Sequence, residues 1–234
     1  MAGLAVVVGV IIADPDRAAE CSSSIRSTKG KPQSMSSSLS IPLKRGVLVD
    51  AIWARHAVRD AVLVSGAAAL TALAAQVAIP VPGSPVPVTL QTFAVLVTAA
   101  ALGPGRGALA QVVYLAAGVA GMPVFSNGKG GVETVFGATG GYLLGFVLAA
   151  YVVGWLSQRG ADRRVASTAL SYVAGSLLIY ALGVTVLALS TGQSIGWAIA
   201  HGVVPFLLGD ALKACAAAGA LPLAWRLVGR SREG

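Results

Sequence analysis

Two charged residues sit where an apolar helix should have none. PFLLGDALKACAAAGALPLAW, Pro205–Trp225, is long and apolar enough to cross a bilayer, yet it carries Asp210 and Lys213. Each such charge costs roughly 2.5–3.5 kcal/mol at mid-bilayer on an insertion scale. At i and i+3 the two share a helix face. Ionisable groups inside a membrane segment usually face the bundle interior or a wet cavity, so a polar binding site is one reading. The plainer reading is an ion pair that only holds helices together.

Composition sets the frame for that pair. Hydrophobic residues make up 56% of the 234 and charged residues 11%, against about a quarter charged in a soluble domain. This is the composition of a polytopic membrane protein. The formal charge of +8 comes from residues in loops and near the ends, not from a basic stripe interleaved with aromatics, which excludes a nucleic-acid surface. Cys21 and Cys215 are isolated and define neither a disulfide framework nor a metal site. No H-E-x-x-H, G-x-S-x-G or Walker A loop occurs, so no catalytic site, ATPase, metal or cofactor is expected.

The elements that must position the pair follow from hydropathy. A spanning helix needs about 20 residues. Six segments are expected: Ala57–Ile79, Val88–Leu102, Gly107–Ala120, Thr139–Leu156, Val165–Leu189 and Val203–Leu227. Between them lie IPVPGSPVP, GPGRG, GMPVFSNGKGGVETVFG, SQRGADRR and STGQS, whose Pro and Gly stop helices. Positive charge alternates across these connections. Arg55, Arg59, Arg106, Arg159, Arg163, Arg164, Arg226, Arg230 and Arg232 fall on one side, while the other holds only Lys129 balanced by Glu133. The positive-inside rule then puts both termini in the cytoplasm of an all-α, six-helix bundle in the plasma membrane.

Residues 1–56 read as a poorly structured extension before a 57–230 membrane domain. Ala5–Ala13 is too short to span, and CSSSIRSTKGKPQSMSSSLS is Ser-rich and polar. Met35 is an alternative starting point for the chain.

With this topology the remaining polar groups converge on the outer side. Thr89 and Gln91 begin the second segment, Asn127 lies in the third loop, Tyr142 begins the fourth segment, and Asp210 and Lys213 enter with the sixth. A pocket so lined suits a small molecule with an acid at one end and amide-like N–H donors at the other. Each residue also has a duller role. Thr89 and Gln91 suit a helix cap, Asn127 beside Gly suits a turn, and Tyr142 suits an interfacial belt. His201 suits an interfacial loop. Gly137, Gly141 and Gly145 form a small-xxx-small repeat for close helix packing.

Taken in order, IPVPGSPVPVTLQT, LGPGRGALAQVVYLAAGVAGMPVF, GATGGYLLGF and PFLLGDALK resemble the BioY family, the biotin-specific substrate-binding subunits of energy-coupling-factor transporters. The likeness runs from about Ala67 to Leu227. It implies a six-helix subunit that captures biotin from outside, with a transmembrane coupling subunit and paired ATPase subunits supplying energy. Biotin would be cargo, not cofactor. The family's ligand-contacting residues fall on Asp210 and Lys213, with Asn127, Thr89, Gln91 and Tyr142 around them. Whether Asp210 or Asn127 takes the ureido ring stays open, as does whether Lys213 alone takes the carboxylate. Ala138 stands where the family pattern has Pro. Ala68 and Ala72 resemble the small-residue face that docks on the coupling subunit, although tight packing within the bundle explains them equally well. Rival readings are a subunit for another carboxylate-bearing vitamin, a membrane enzyme using Asp210 as base, and a structural subunit without ligand.

Overall fold

Helices account for nearly all of the regular structure, because long Ala-, Val- and Leu-rich runs satisfy their own backbone where water is absent. The computed structural model describes residues 46–52 and 57–230. The helices are α1 (Leu48–Ile52), α2 (Ala57–Gln76), α3 (Gln91–Leu102), α4 (Pro104–Val119), α5 (Val132–Phe136), α6 (Gly140–Gln158), α7 (Val165–Thr191), α8 (Ile195–Gly202) and α9 (Val204–Arg230). Short 3-10 turns occur at Ser126–Gly128 and Ala161–Arg163.

Among the described residues, four helices are long and apolar enough to cross a membrane: α2, α6, α7 and α9. At about 1.5 Å per residue, α3 is nearer 18 Å long and α4 nearer 24 Å. They meet at a sharp corner where Gly103 takes φ 87° and Pro104 opens α4 at its first turn, a position where the missing N–H costs nothing. Large apolar side chains such as Leu70, Leu144, Leu148, Leu170, Leu208 and Leu212 stand exposed on the outside of the bundle, as a lipid-facing surface requires.

Several expectations are corrected. The all-α reading missed a two-stranded antiparallel ladder in which Ala78 pairs with Thr89 and Ile79 with Val88. These strands, β1 (Ala78–Ile79) and β2 (Val88–Thr89), flank the IPVPGSPVP turn. The first and second expected segments therefore lose their Val77–Ile79 and Val88–Leu90 ends. Proline removes helical hydrogen bonds on both sides of the turn, and the freed backbone pairs across it. The third loop contains α5. His201 lies in α8 instead of a loop, stacked on Trp197 with ring centroids 4.3 Å apart. Residues 1–45 and 53–56, with the alternative start at Met35, lie outside the described residues. Within the expected extension, however, α1 is helical and Val47 is 1% exposed.

Helix contact depends on small residues. α6 and α7 lie so close that a Cβ on Gly141 would stand 2.3 Å from the Leu182 carbonyl oxygen, and one on Gly145 would stand 2.8 Å from Ile179 Cα. Gly137, the first member of the sequence repeat, precedes α6 and takes no part in this seam. At the end of the bundle away from Asp210, Asp50 bridges Arg59 at 3.1 Å and Arg106 at 2.7 Å. There Trp225 Nε1 donates to Asp162 at 2.6 Å, and the Arg163 guanidinium lies 4.6 Å from the Trp225 ring centroid. Burial raises the Asp162 carboxyl pKa, against the pull of Trp225 and Arg163.

The α6–α7 seam is testable. Gly145→Val should separate the two helices and cost about 2 kcal/mol, as overpacking does. In detergent the variant should melt well below wild type, whereas Gly66→Ala, where a Cβ meets nothing within 4 Å, should not.

Candidate functional site

The site is built where the β1–β2 ladder delivers the start of α3 against α9. Hydrogen bonds from β2 fix Thr89, and Leu90 N donates to Val77 O at 3.2 Å. This places the Thr89 carbonyl and the Thr92 hydroxyl beside the first turns of α9. Lys213 Nζ donates to Asp210 Oδ1 at 2.8 Å, to Thr89 O at 2.8 Å and to Thr92 Oγ1 at 3.0 Å. An ammonium group has three donors, and all three are used. Asp210 Oδ1 also accepts from Thr92 Oγ1 at 3.2 Å, and Oδ2 accepts from the Tyr180 hydroxyl at 2.5 Å. Asp210 is 7% exposed. Withdrawing two charges from water costs several kcal/mol per ion, and the network of neutral partners offsets that cost.

Beside this pair lies an aromatic-walled cleft enclosing about 550 Å³ of empty space, part of it open to the outside. Tyr142, Tyr180, Phe125, Phe146 and Phe206 supply its walls, while Thr89, Gln91 and Thr92 supply polar groups. Thr89, Thr92 and Tyr180 both line the cleft and bond to the ion pair, so Asp210 and Lys213 sit one residue behind its wall. Above the cleft is a wider opening lined by Asn127, Lys129, Glu133 and Ala138. The two share Pro87, Ser126, Thr134 and Thr139.

Residues 41–230 match the family described as BioY. The chain belongs to the BioY family. The biotin transporter BioY of Thermotoga maritima is 45% identical over 140 residues, 60% of this chain and 81% of that protein. The probable biotin transporter BioY of Pyrococcus horikoshii is 35% identical over 173 residues, 74% of this chain and 98% of that protein. Among solved structures, the S-component for biotin from an ECF-type ABC transporter superposes with a TM-score of 0.64 at 21% identity, covering 77% of this chain and 96% of that one. At that identity the superposition speaks for the fold alone. With its four long apolar helices, this BioY chain is a multi-pass membrane protein.

The BioY sequence motifs meet unevenly in space. Thr89, Asp210 and Lys213 come together, with Gln91 bonded to Thr89, but Asp210 and Lys213 are not among the residues that line the cleft. Tyr142 is 7% exposed and lines the cleft, and its hydroxyl donates to Gly202 O at 2.9 Å, so it is not an interfacial belt residue. Asn127 stands apart in the outer opening, in a left-handed turn with φ 60°. Gln91 lines the cleft but its amide is committed elsewhere. Its Oε1 accepts from Thr89 Oγ1 at 3.0 Å and its Nε2 donates to the Tyr114 hydroxyl at 2.7 Å. Ala68 and Ala72 face inward: Ala68 is 7% exposed in the apolar core and Ala72 packs against it. Ala61, Ser65, Gly66 and Ala69 are small residues that α2 leaves exposed. The expected docking face is corrected accordingly, because helical periodicity turns 68 and 72 inward on the side of α2 that also buries Val64 and Ala75.

Sequence reasoning missed Thr92, Tyr180 and Tyr114. Thr92 directly follows Gln91 and reads as the start of an apolar run. Tyr180 does carry a signal, since it lies 15 residues into α7, away from either end where a belt tyrosine belongs.

Removing one partner of a buried pair leaves an uncompensated charge. Lys213→Ala should lower stability by about 3 kcal/mol. Adding Asp210→Asn to Lys213→Met should return most of the loss, read as Tm in detergent.

Proposed function

We propose that the protein binds biotin in this cleft and delivers it inward as the substrate-binding subunit of an energy-coupling-factor transporter. The observation that carries this reading is the buried Asp210–Lys213 pair behind an aromatic cleft, in a chain whose relatives are named biotin transporters. Biotin has a carboxylate on an aliphatic arm and a ureido ring with two N–H donors. A carboxylate would compete with Asp210 and the Thr89 carbonyl for Lys213. Ureido N–H groups would compete with Tyr180 and Thr92 for Asp210. Each exchange replaces one satisfied polar contact by another, so the charges are never stranded. The aromatic walls suit the bicyclic ring and the arm between its two polar ends.

The topology belongs to the same reading. α2, α3, α4, α6, α7 and α9 are the six crossings, with α3 and α4 spanning by virtue of the loops at their ends. Arg59, Arg106, Arg163 and Arg226 lie at the cytoplasmic end and the cleft at the outer end. Transport then needs energy from other chains, a transmembrane coupling subunit and paired ATPase subunits. The protein's own task is binding, with no catalysis and no cofactor.

Calorimetric titration of the purified protein with biotin, beside Asp210→Asn, tests the assignment. Saturable one-site binding, weakened at least tenfold in the variant, is expected. A folded wild type that gives no heat with biotin and retains none would overturn it, as would one that binds a different carboxylate-bearing vitamin instead.

A further inference from the structure

The segment between α4 and α5 roofs the cleft: Phe125 and Ser126 line it from above. Three sets of contacts hold this roof down. The Phe125 ring fills the notch left by Gly118, where a Cβ would lie 2.0 Å from its Cζ, and meets the Tyr114 ring edge-on at 5.5 Å. The Tyr114 hydroxyl accepts from Gln91 Nε2 and donates to Val124 O at 3.2 Å. Gln76, at the last position of α2, grips the roof on both sides of Asn127. Its Nε2 donates to Phe125 O at 3.2 Å, and its Oε1 accepts from Gly128 N at 3.2 Å.

The bonds from Gln76 and Tyr114 end on backbone atoms of the roof, whereas Phe125 is held through its ring. They therefore fix where the segment lies without defining what the cleft binds. Gln76 and Tyr114 are absent from the cleft lining. The roof lies across the cleft, and lifting it to widen the way in or out breaks these bonds. Gln91 ties the two levels together, because the residue that lines the cleft also holds the tyrosine that holds the roof.

We infer that Gln76 and Tyr114 are positioning residues that latch the α4–α5 segment over the cleft and set how fast a bound ligand leaves. The inference rests on the cleft being the ligand site. Recognition stays with the groups around Asp210 and Lys213, so the latch acts on dissociation and leaves ligand choice unchanged.

The test measures release of radiolabelled biotin from wild type, Gln76→Leu and Tyr114→Phe. Gln76 is exposed, and Tyr114→Phe keeps the ring against Phe125, so both variants should fold. Tyr114→Phe, which loses one bond to the roof, should release biotin about five-fold faster, and Gln76→Leu, which loses two, faster still, both with unchanged preference between biotin and dethiobiotin. Release at the wild-type rate from both variants overturns the latch, and altered preference makes these residues part of recognition instead. Hydrogen exchange at the Gly128 amide, without ligand, separates the two claims. Should wild type not bind biotin, the ligand assignment fails by itself. Faster Gly128 exchange in Gln76→Leu would still support the latch, and unchanged exchange would overturn it.

Discussion

An ammonium and a carboxylate beside hydrocarbon persist only if every donor and acceptor they carry is met. Asp210 and Lys213 meet that condition with partners from three other elements: Thr89 of β2, Thr92 of α3 and Tyr180 of α7. Polar satisfaction therefore fixes where four pieces of chain stand relative to one another. The β1–β2 ladder exists at the place where the Thr89 carbonyl must point at Lys213. The start of α3 is set by the same turn. A polar network of this kind specifies a geometry more than it adds stability, and the geometry it specifies is a cleft wall.

Packing supplies the rest of the frame. Gly141 and Gly145 bring α6 against α7, which sets Tyr142 and Tyr180 on one side of the cleft with Phe206 of α9 between them, at centroid distances of 6.3 Å and 6.4 Å. Without a hydrophobic drive between helices in lipid, close backbone approach and interhelical hydrogen bonds do this work. Aromatic walls with a few neutral polar groups in front of a hidden charge pair suit an amphipathic ligand.

Much of this was legible in the sequence. Hydropathy located the long helices, and Asp210 with Lys213 drew attention because charges in such a run need a reason. What escaped was set by tertiary geometry. Thr92 and Tyr180 are polar only at one atom each, and their importance depends on facing Asp210. Gln91 was legible as a cleft residue, but its engagement with Tyr114 crosses from α3 to α4 and leaves no local pattern. Ala68 and Ala72 were misjudged because the Ala-rich α2 offers small residues on every face, so composition could not say which face turns inward. The short ladder was hidden by prolines that read simply as a turn.

The central claim is that the charge pair is a preformed polar site which exchanges its internal partners for a ligand. A structure of the protein determined with biotin tests it most directly. Biotin is expected in the cleft between α3, α6, α7 and α9, with Lys213 Nζ or an Asp210 carboxylate oxygen within hydrogen-bond distance of it, and at least one of the present bonds to Thr89, Thr92 or Tyr180 given up. Biotin bound elsewhere, or bound in the cleft with the whole Asp210–Lys213 network intact and untouched, would contradict it.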